Sequence, residues 1–155
     1  MQSDGTNWTA VPGGWVTTKV SSVYTNTTNT LSDIGGLSFN AAAGQMYEIE
    51  AWLDITCSGT GGVEFAVKTT GTTPTVAAVF TGNSTATLAT SAGSTASGTA
   101  EGSPFANASG ADCLVRVWAI VKSVGAGTVT LQAKSVTNGQ TSTVKVGSKM
   151  QYRVQ

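Results

Sequence analysis

Residues 46–57 alternate without a break: Tyr47, Ile49, Ala51, Leu53, Ile55 and Cys57 fall on one side, and Met46, Glu48, Glu50, Trp52 and Asp54 on the other. Successive side chains of a strand point to opposite faces, so a period of two over this length dictates a long β-strand with one buried side. The pattern returns at 113–122, where Cys113, Val115, Val117, Ala119 and Val121 oppose Leu114, Arg116, Trp118, Ile120 and Lys122. Each strand continues into a hairpin. The turn-forming run 58–62 leads to Val63, Phe65 and Val67, which alternate with Glu64, Ala66 and Lys68, and Gly125-Ala126-Gly127 leads to Val129, Leu131 and Ala133. Asn138-Gly139 is a further turn. Beyond it Val144, Val146, Met150, Tyr152 and Val154 mark a last strand, with a bulge or kink at Gly147-Ser148.

Weaker strands are expected at 15–24, 30–39 and 76–81, and no window carries a helical period. Segment 83–112 is dominated by Ser, Thr, Ala and Gly; it reads as a long loop with one short strand around Leu88 and a lone aromatic, Phe105. The elements together predict an N-terminal arm, 1–14, followed by one all-β domain, 15–155. Its expected architecture is an antiparallel two-sheet β-sandwich of jelly-roll type, with about eight strands and no substantial helix. The polar positions agree, being filled mainly by Thr, Ser, Gly and Asn, while charged residues make up only 10% of the chain. At 155 residues folding buries roughly two-thirds of the unfolded surface, so one core suffices without metal or disulfide.

Charge and residue types exclude several functions. Eight basic and eight acidic side chains cancel, which removes the positive field that nucleic acid or an anionic membrane would reward. No apolar run approaches the roughly 20 residues of a membrane span, and the first residues lack the basic and apolar regions of a secretory signal. The expectation is a soluble, unprocessed protein. The Asn-X-Ser/Thr sites at Asn7, Asn26, Asn83 and Asn107 are the chance product of this composition. With no histidine there is no Ser-His-Asp or Cys-His nucleophile and no His-containing zinc site, and two cysteines cannot build a four-thiolate cage. Residues 59–62, Gly-Thr-Gly-Gly, lack the Lys-Ser/Thr of a phosphate loop and form a turn. No catalytic, cofactor-binding or metal-binding residue is predicted, and the chain does not read as an enzyme.

Three constellations remain. Glu48 and Glu50, two apart on one strand face, are close enough to be weighed as a glycosidase pair, but carboxylates so placed ordinarily form ion pairs on a solvated or subunit-facing side. If strands 46–57 and 113–122 are adjacent and antiparallel with their cysteines opposite, residues whose numbers sum to 170 face each other. That register sets Asp54 against Arg116, Trp52 against Trp118 and Glu48 against Lys122, and would allow a disulfide between Cys57 and Cys113; two buried thiols are the ordinary alternative. The tryptophans at 8, 15, 52 and 118 suit either a sugar-stacking platform or core and interface filling. Trp52 and Trp118 lie on the polar faces of their strands, so something is expected to cover that side: a sheet edge, the N-terminal arm or a neighbouring subunit. Trp8, Trp15, Glu48, Glu50, Trp52, Phe105, Arg116, Trp118 and Lys122 are therefore the candidate interface residues.

Two stretches carry a family resemblance: GLSFNAAAGQMYEIEAWLDITCSGTGGVEFAV at 36–67 and GAGTVTLQAKSVTNGQTSTVKVGSKMQYRV at 125–154. From about Leu31 onward the chain resembles the small jelly-roll structural proteins encoded in the morphogenesis regions of tailed bacteriophages. The resemblance implies a virion component made in the host cytoplasm, commonly a homotrimer. It would serve as a capsid cement (decoration) protein on the outer surface of the head, with the major capsid protein as partner, or as a fibre or tail-tip module. The chain shows no heptad stalk, β-helix repeat or second domain of the kind a fibre uses for reach, so cement is the expected role. The alternative is a carbohydrate- or receptor-binding module of a head or tail fibre, with a host-surface glycan as ligand.

Overall fold

The computed structural model describes residues 2–3, 8–9, 14–58, 62–72, 74–84, 87–95, 99–102 and 110–155. In chain order the strands are β1 (Gln2–Ser3), β2 (Trp8–Thr9), β3 (Val16–Lys19), β4 (Tyr24–Asn26), β5 (Ser32–Ala41), β6 (Met46–Cys57) and β7 (Val63–Thr69). They continue with β8 (Thr75–Ser84), β9 (Thr87–Thr95), β10 (Thr99–Glu101), β11 (Asp112–Lys122), β12 (Gly127–Ser135), β13 (Ser142–Val144) and β14 (Lys149–Val154). Two antiparallel sheets face each other as a β-sandwich. The large one runs β3-β14-β6-β11-β8-β9, with β13 beside β6 and β4 beside β13; the small one runs β10-β7-β12-β5. Among the described residues the arm strands β1 and β2 pair with each other and with no other strand.

Four pairings are nested in the sequence: β5 with β12, β6 with β11, β7 with β10, and β8 with β9. The chain from 32 to 135 is thus one long hairpin whose arms stay paired as it winds between the two sheets. Alternation drives the winding, since the long strands β6, β7, β11 and β12 each carry an apolar face and the two sheets bury those faces against each other. On β6, Tyr47, Ile49, Ala51, Leu53, Ile55 and Cys57 all point inward. They pack with Val115 and Val117 of β11, Phe65 and Val67 of β7, Leu37 and Phe39 of β5, Leu131 of β12 and Met150 of β14. Each large side chain buried in this way contributes about 1.5–3 kcal/mol.

Asn26 shows why one of the Asn-X-Ser/Thr sites is only compositional. The residue is buried; its Nδ2 donates to the carbonyls of Thr30 and Ala133, and its Oδ1 accepts from the Thr28 amide at 2.7 Å. A glycan has no place on an amide so committed.

Several expectations are corrected. The strand expected at 15–24 is two strands, β3 and β4, in different positions of the large sheet. Among the described residues of segment 83–112, strand extends beyond the short stretch expected around Leu88: β9 pairs along β8 as a hairpin and β10 forms an edge of the small sheet. In β10 only Ala100 is buried, between exposed Thr99 and Glu101, so the pairing rests on backbone hydrogen bonds and leaves little apolar alternation to read. The kink expected at Gly147-Ser148 is a complete turn that splits the last strand into β13 and β14. Gly147 takes a left-handed φ of 93°, and Ser148 accepts the Asp54 amide on its Oγ at 3.0 Å.

Strands β6 and β11 are adjacent and antiparallel, but the register differs from the one proposed. Facing residues sum to 168: Arg116 lies opposite Trp52, Trp118 opposite Glu50, Leu114 opposite Asp54, Lys122 opposite Met46 and Cys113 opposite Ile55. A slide of two residues leaves every side chain on its own face, so alternation alone does not choose between the two registers. Cys57 lies instead opposite Ser142 of β13, with Sγ 3.6 Å from the serine Oγ. No disulfide joins Cys57 and Cys113; both are buried thiols, and burial pushes both upward from the usual thiol range.

Candidate interaction face

The outward side of the large sheet collects most of the predicted residues. Because Met150 points inward and Lys149, Gln151 and Arg153 occupy the alternate positions of β14, that strand lays two cations and an amide beside β6. On its other side β6 meets the outward Leu114, Arg116, Trp118, Ile120 and Lys122 of β11.

Glu48 and Glu50 hold this layer together. Glu48 accepts the indole N–H of Trp118 at 3.1 Å on one oxygen. Its other oxygen accepts Arg153 Nε and Gln155 Nε2, both at 2.7 Å. The Trp118 hydrogen bond, followed by that of Arg153, holds the Glu48 carboxyl below the usual carboxylate range. Glu50 accepts Arg116 Nη2 at 2.8 Å and Gln151 Nε2 at 3.2 Å. Both carboxylates are therefore acceptors inside a charge network. A glycosidase acid needs the opposite perturbation, a carboxyl raised in an apolar site.

The aromatic rings complete the layer. Arg153 lies 4.7 Å from the centroid of Trp15, while Lys149 and Arg116 lie 4.9 and 5.9 Å from that of Trp52. The structure thus brings Trp15, Glu48, Glu50, Trp52, Arg116 and Trp118 onto one surface, with Lys122 at its end. Glu48 pairs with Arg153 rather than Lys122, and Arg116 pairs with Glu50 rather than Asp54. Phe105 and the Trp8 side chain lie outside the described residues. Cys57 and Cys113 face the core instead. Sequence reading missed Lys149, Gln151 and Arg153, although alternation around Met150, Tyr152 and Val154 places them outward.

At one end of the face, where the turn 145–148 rises beside β6, a groove of about 680 Å3 opens. Trp52, Asp54, Leu114, Arg116, Val146 and Ser148 are among its lining residues. Leu114 is 66% and Val146 56% exposed, high values for aliphatic side chains on a folded surface. Among the described residues no three His, Cys, Asp or Glu side chains stand close enough to hold a metal ion.

The outward side of the small sheet is built differently. Ala66, Thr130 and Gln132 are buried there, and charge is confined to Asp33–Lys68 and the cluster Glu64–Lys134–Glu101. Burial, and then the hydrogen bond to Glu101, push Glu64 up to about 7.

Compared with protein-family models, with curated proteins and with solved structures, the chain matches none of them.

Proposed function

We propose that this chain is a virion structural protein of a tailed bacteriophage: a capsid cement that assembles as a homotrimer and binds the major capsid protein on the outside of the head. The half of the large sheet's outer face around Trp15, Glu48, Trp118 and Arg153 would be the docking surface. One observation carries the reading. Trp118 is 39% exposed beside Glu48 and Glu50, each of which is paired with an arginine of the same chain. Covering this part of the layer buries an aromatic anchor while both carboxylates keep their partners, which favours a contact.

Two further features support it. The nested strand pairing across two sheets supports a jelly-roll reading of the sandwich, the type that the family resemblance implies. Among the described residues the arm strands β1 and β2 join neither sheet, and a two-stranded ribbon by itself is marginal in water, so a neighbouring molecule would be a natural support for the arm.

Native mass spectrometry of the purified chain should give three protomer masses. Co-sedimentation with capsids that lack the protein should be saturable for the wild type and lost for Trp118→Arg. A monomer that does not sediment with capsids, or a Trp118→Arg variant that binds as the wild type does, would overturn the proposal.

A further inference from the structure

We propose that Glu64, Glu101 and Lys134 form a proton-operated latch, which holds the edge strand β10 on β7 in acid and loosens it as the solution becomes alkaline. This goes beyond the cement reading and does not depend on it, because the latch lies on the other sheet and needs no partner.

Adjacent strands contribute one group each. Lys134 of β12 lies directly opposite Glu64 of β7, and Glu101 of β10 lies opposite Ala66 on the other side of β7. Lys134 Nζ stands 3.3 Å from Glu64 Oε1 and also donates a hydrogen bond to Glu101 Oε1, so two carboxyl groups converge on one ammonium. Because β7 separates β12 from β10, the contact between Lys134 and Glu101 crosses over it. It does so beside Ala66, an outward residue whose small side chain leaves room and is fully buried.

Little else holds β10. The strand is three residues long, pairs among the described residues with β7 alone, and buries only Ala100; just beyond it the Gly102 amide donates to the Phe65 carbonyl at 3.0 Å. A strand with so few buried contacts opens at small cost, so one side-chain link is a large share of its attachment.

That link depends on a proton. Two carboxylates sharing one ammonium leave a negative charge uncompensated, and like charges brought together across strands are destabilising. A proton on one carboxyl removes the conflict. Glu64, whose side chain is 12% exposed, keeps it and donates to Glu101. Burial, and then this hydrogen bond, push Glu64 up to about 7, while the bond from Glu64, and then that from Lys134, hold Glu101 below the usual range. Burial works against the Lys134 charge, but the hydrogen bond to Glu101 and the Glu64 charge outweigh it, so Lys134 stays protonated throughout. The other charges on this face among the described residues, Lys68 of β7 and Asp33 of β5, pair with each other at 3.6 Å. The folded Glu64 lies above its unfolded value of 4.5, so the latch is complete below that pH and is lost as pH rises through about 7. Above it the two carboxylates repel, β10 lifts, and the backbone edge of β7 is uncovered.

Hydrogen exchange of the intact chain tests the latch. Protection factors, which correct for the free-chain rate at each pH, should fall about tenfold or more at the Gly102 amide between pH 5 and pH 8, and at pH 8 should lie well below those of β6, which is paired on both sides. Glu64→Gln, which keeps a donor toward Glu101 at every pH, should hold Gly102 equally protected across the range. Glu101→Gln, which removes the second negative charge, should flatten the response as well. A Glu64 carboxyl that titrates near 4.5 by NMR overturns the latch. So does a Gly102 protection factor that is unchanged between the two pH values, a fall that Glu64→Gln retains, or a Gly102 amide that is as protected as β6 at pH 8 and therefore opens only with the whole fold.

Discussion

The outer faces of the two sheets solve the same problem in opposite ways. Each must carry charge over a nearly flat β surface without leaving any of it unpaired. The large sheet uses long cations laid over indole rings and a carboxylate that is held ionised: Glu48, below the usual range, keeps Arg153 and Trp118 in place. The small sheet uses a compact cluster in which Glu64 donates to Glu101 and is pushed up to about 7, while Lys134 serves both carboxyls. One face is built from broad aromatic and aliphatic surface with its Glu48 and Glu50 carboxylates paired to arginines. The other places no aromatic ring among its described strands and buries Ala66, Thr130 and Gln132. Contact surfaces are made of the first material, and closed outer walls of the second.

The largest effect should come from the core on which both faces rest. Phe65 is fully buried between the sheets, and Phe65→Ala should cost about 3–5 kcal/mol in denaturant unfolding. A smaller loss would mean that the two faces are not mounted on one shared core.

Removing the keystone of the large face comes next. Glu48→Ala leaves the Arg153 guanidinium and the Trp118 indole N–H, both partly exposed, to be satisfied by water, at about 1 kcal/mol. Because the folded Glu48 lies below its unfolded value of 4.5, its contribution is present above that pH and is lost as pH falls through and beneath it. The gap between variant and wild type should therefore narrow in acid. A gap that stays constant down to pH 3 would show that the network does not hold Glu48 ionised.

The small face should respond with the opposite sign. The folded Glu64 lies above its unfolded value, so its stabilising effect is complete below 4.5 and fades as pH rises to about 7. Glu64→Gln keeps a donor toward Glu101 at every pH. It should match the wild type at pH 5 and exceed it by about 1–2 kcal/mol at pH 8. Equal stabilities at pH 8 would remove the contrast between the faces. The smallest effect belongs to Arg116→Ala, whose 58% exposed side chain pairs with Glu50: under about 1 kcal/mol, and less in high salt.

What could be read before the structure follows from what alternation encodes. Strands β6, β7, β11 and β12 were legible because each carries an apolar face on every second residue. The register of β6 against β11 was not, because sliding by two preserves that pattern; the choice falls to diagonal partners such as Arg116 with Glu50 and to Ser142 beside Cys57. Of β9 only a short strand around Leu88 was legible, and β10 was not, because their segment has little apolar alternation and pairs through backbone with its neighbours. The outer face of the large sheet was half visible: Trp52, Trp118, Glu48 and Glu50 announced themselves by standing on the polar side of strong strands. Their partners on β14 did not, since nothing local in 149–154 says which strand it will lie beside. The groove was invisible, because it exists only once the turn 145–148 has split β13 from β14 and stands over Asp54.

Cryo-electron microscopy of the virion tests the central claim most directly. The account predicts density for this chain on the outer capsid surface, with the Trp15, Glu48 and Trp118 half of the large sheet buried against a neighbour and the outer face of the small sheet exposed. A capsid without that density, or a bound molecule whose Trp118 faces open solvent, would contradict it.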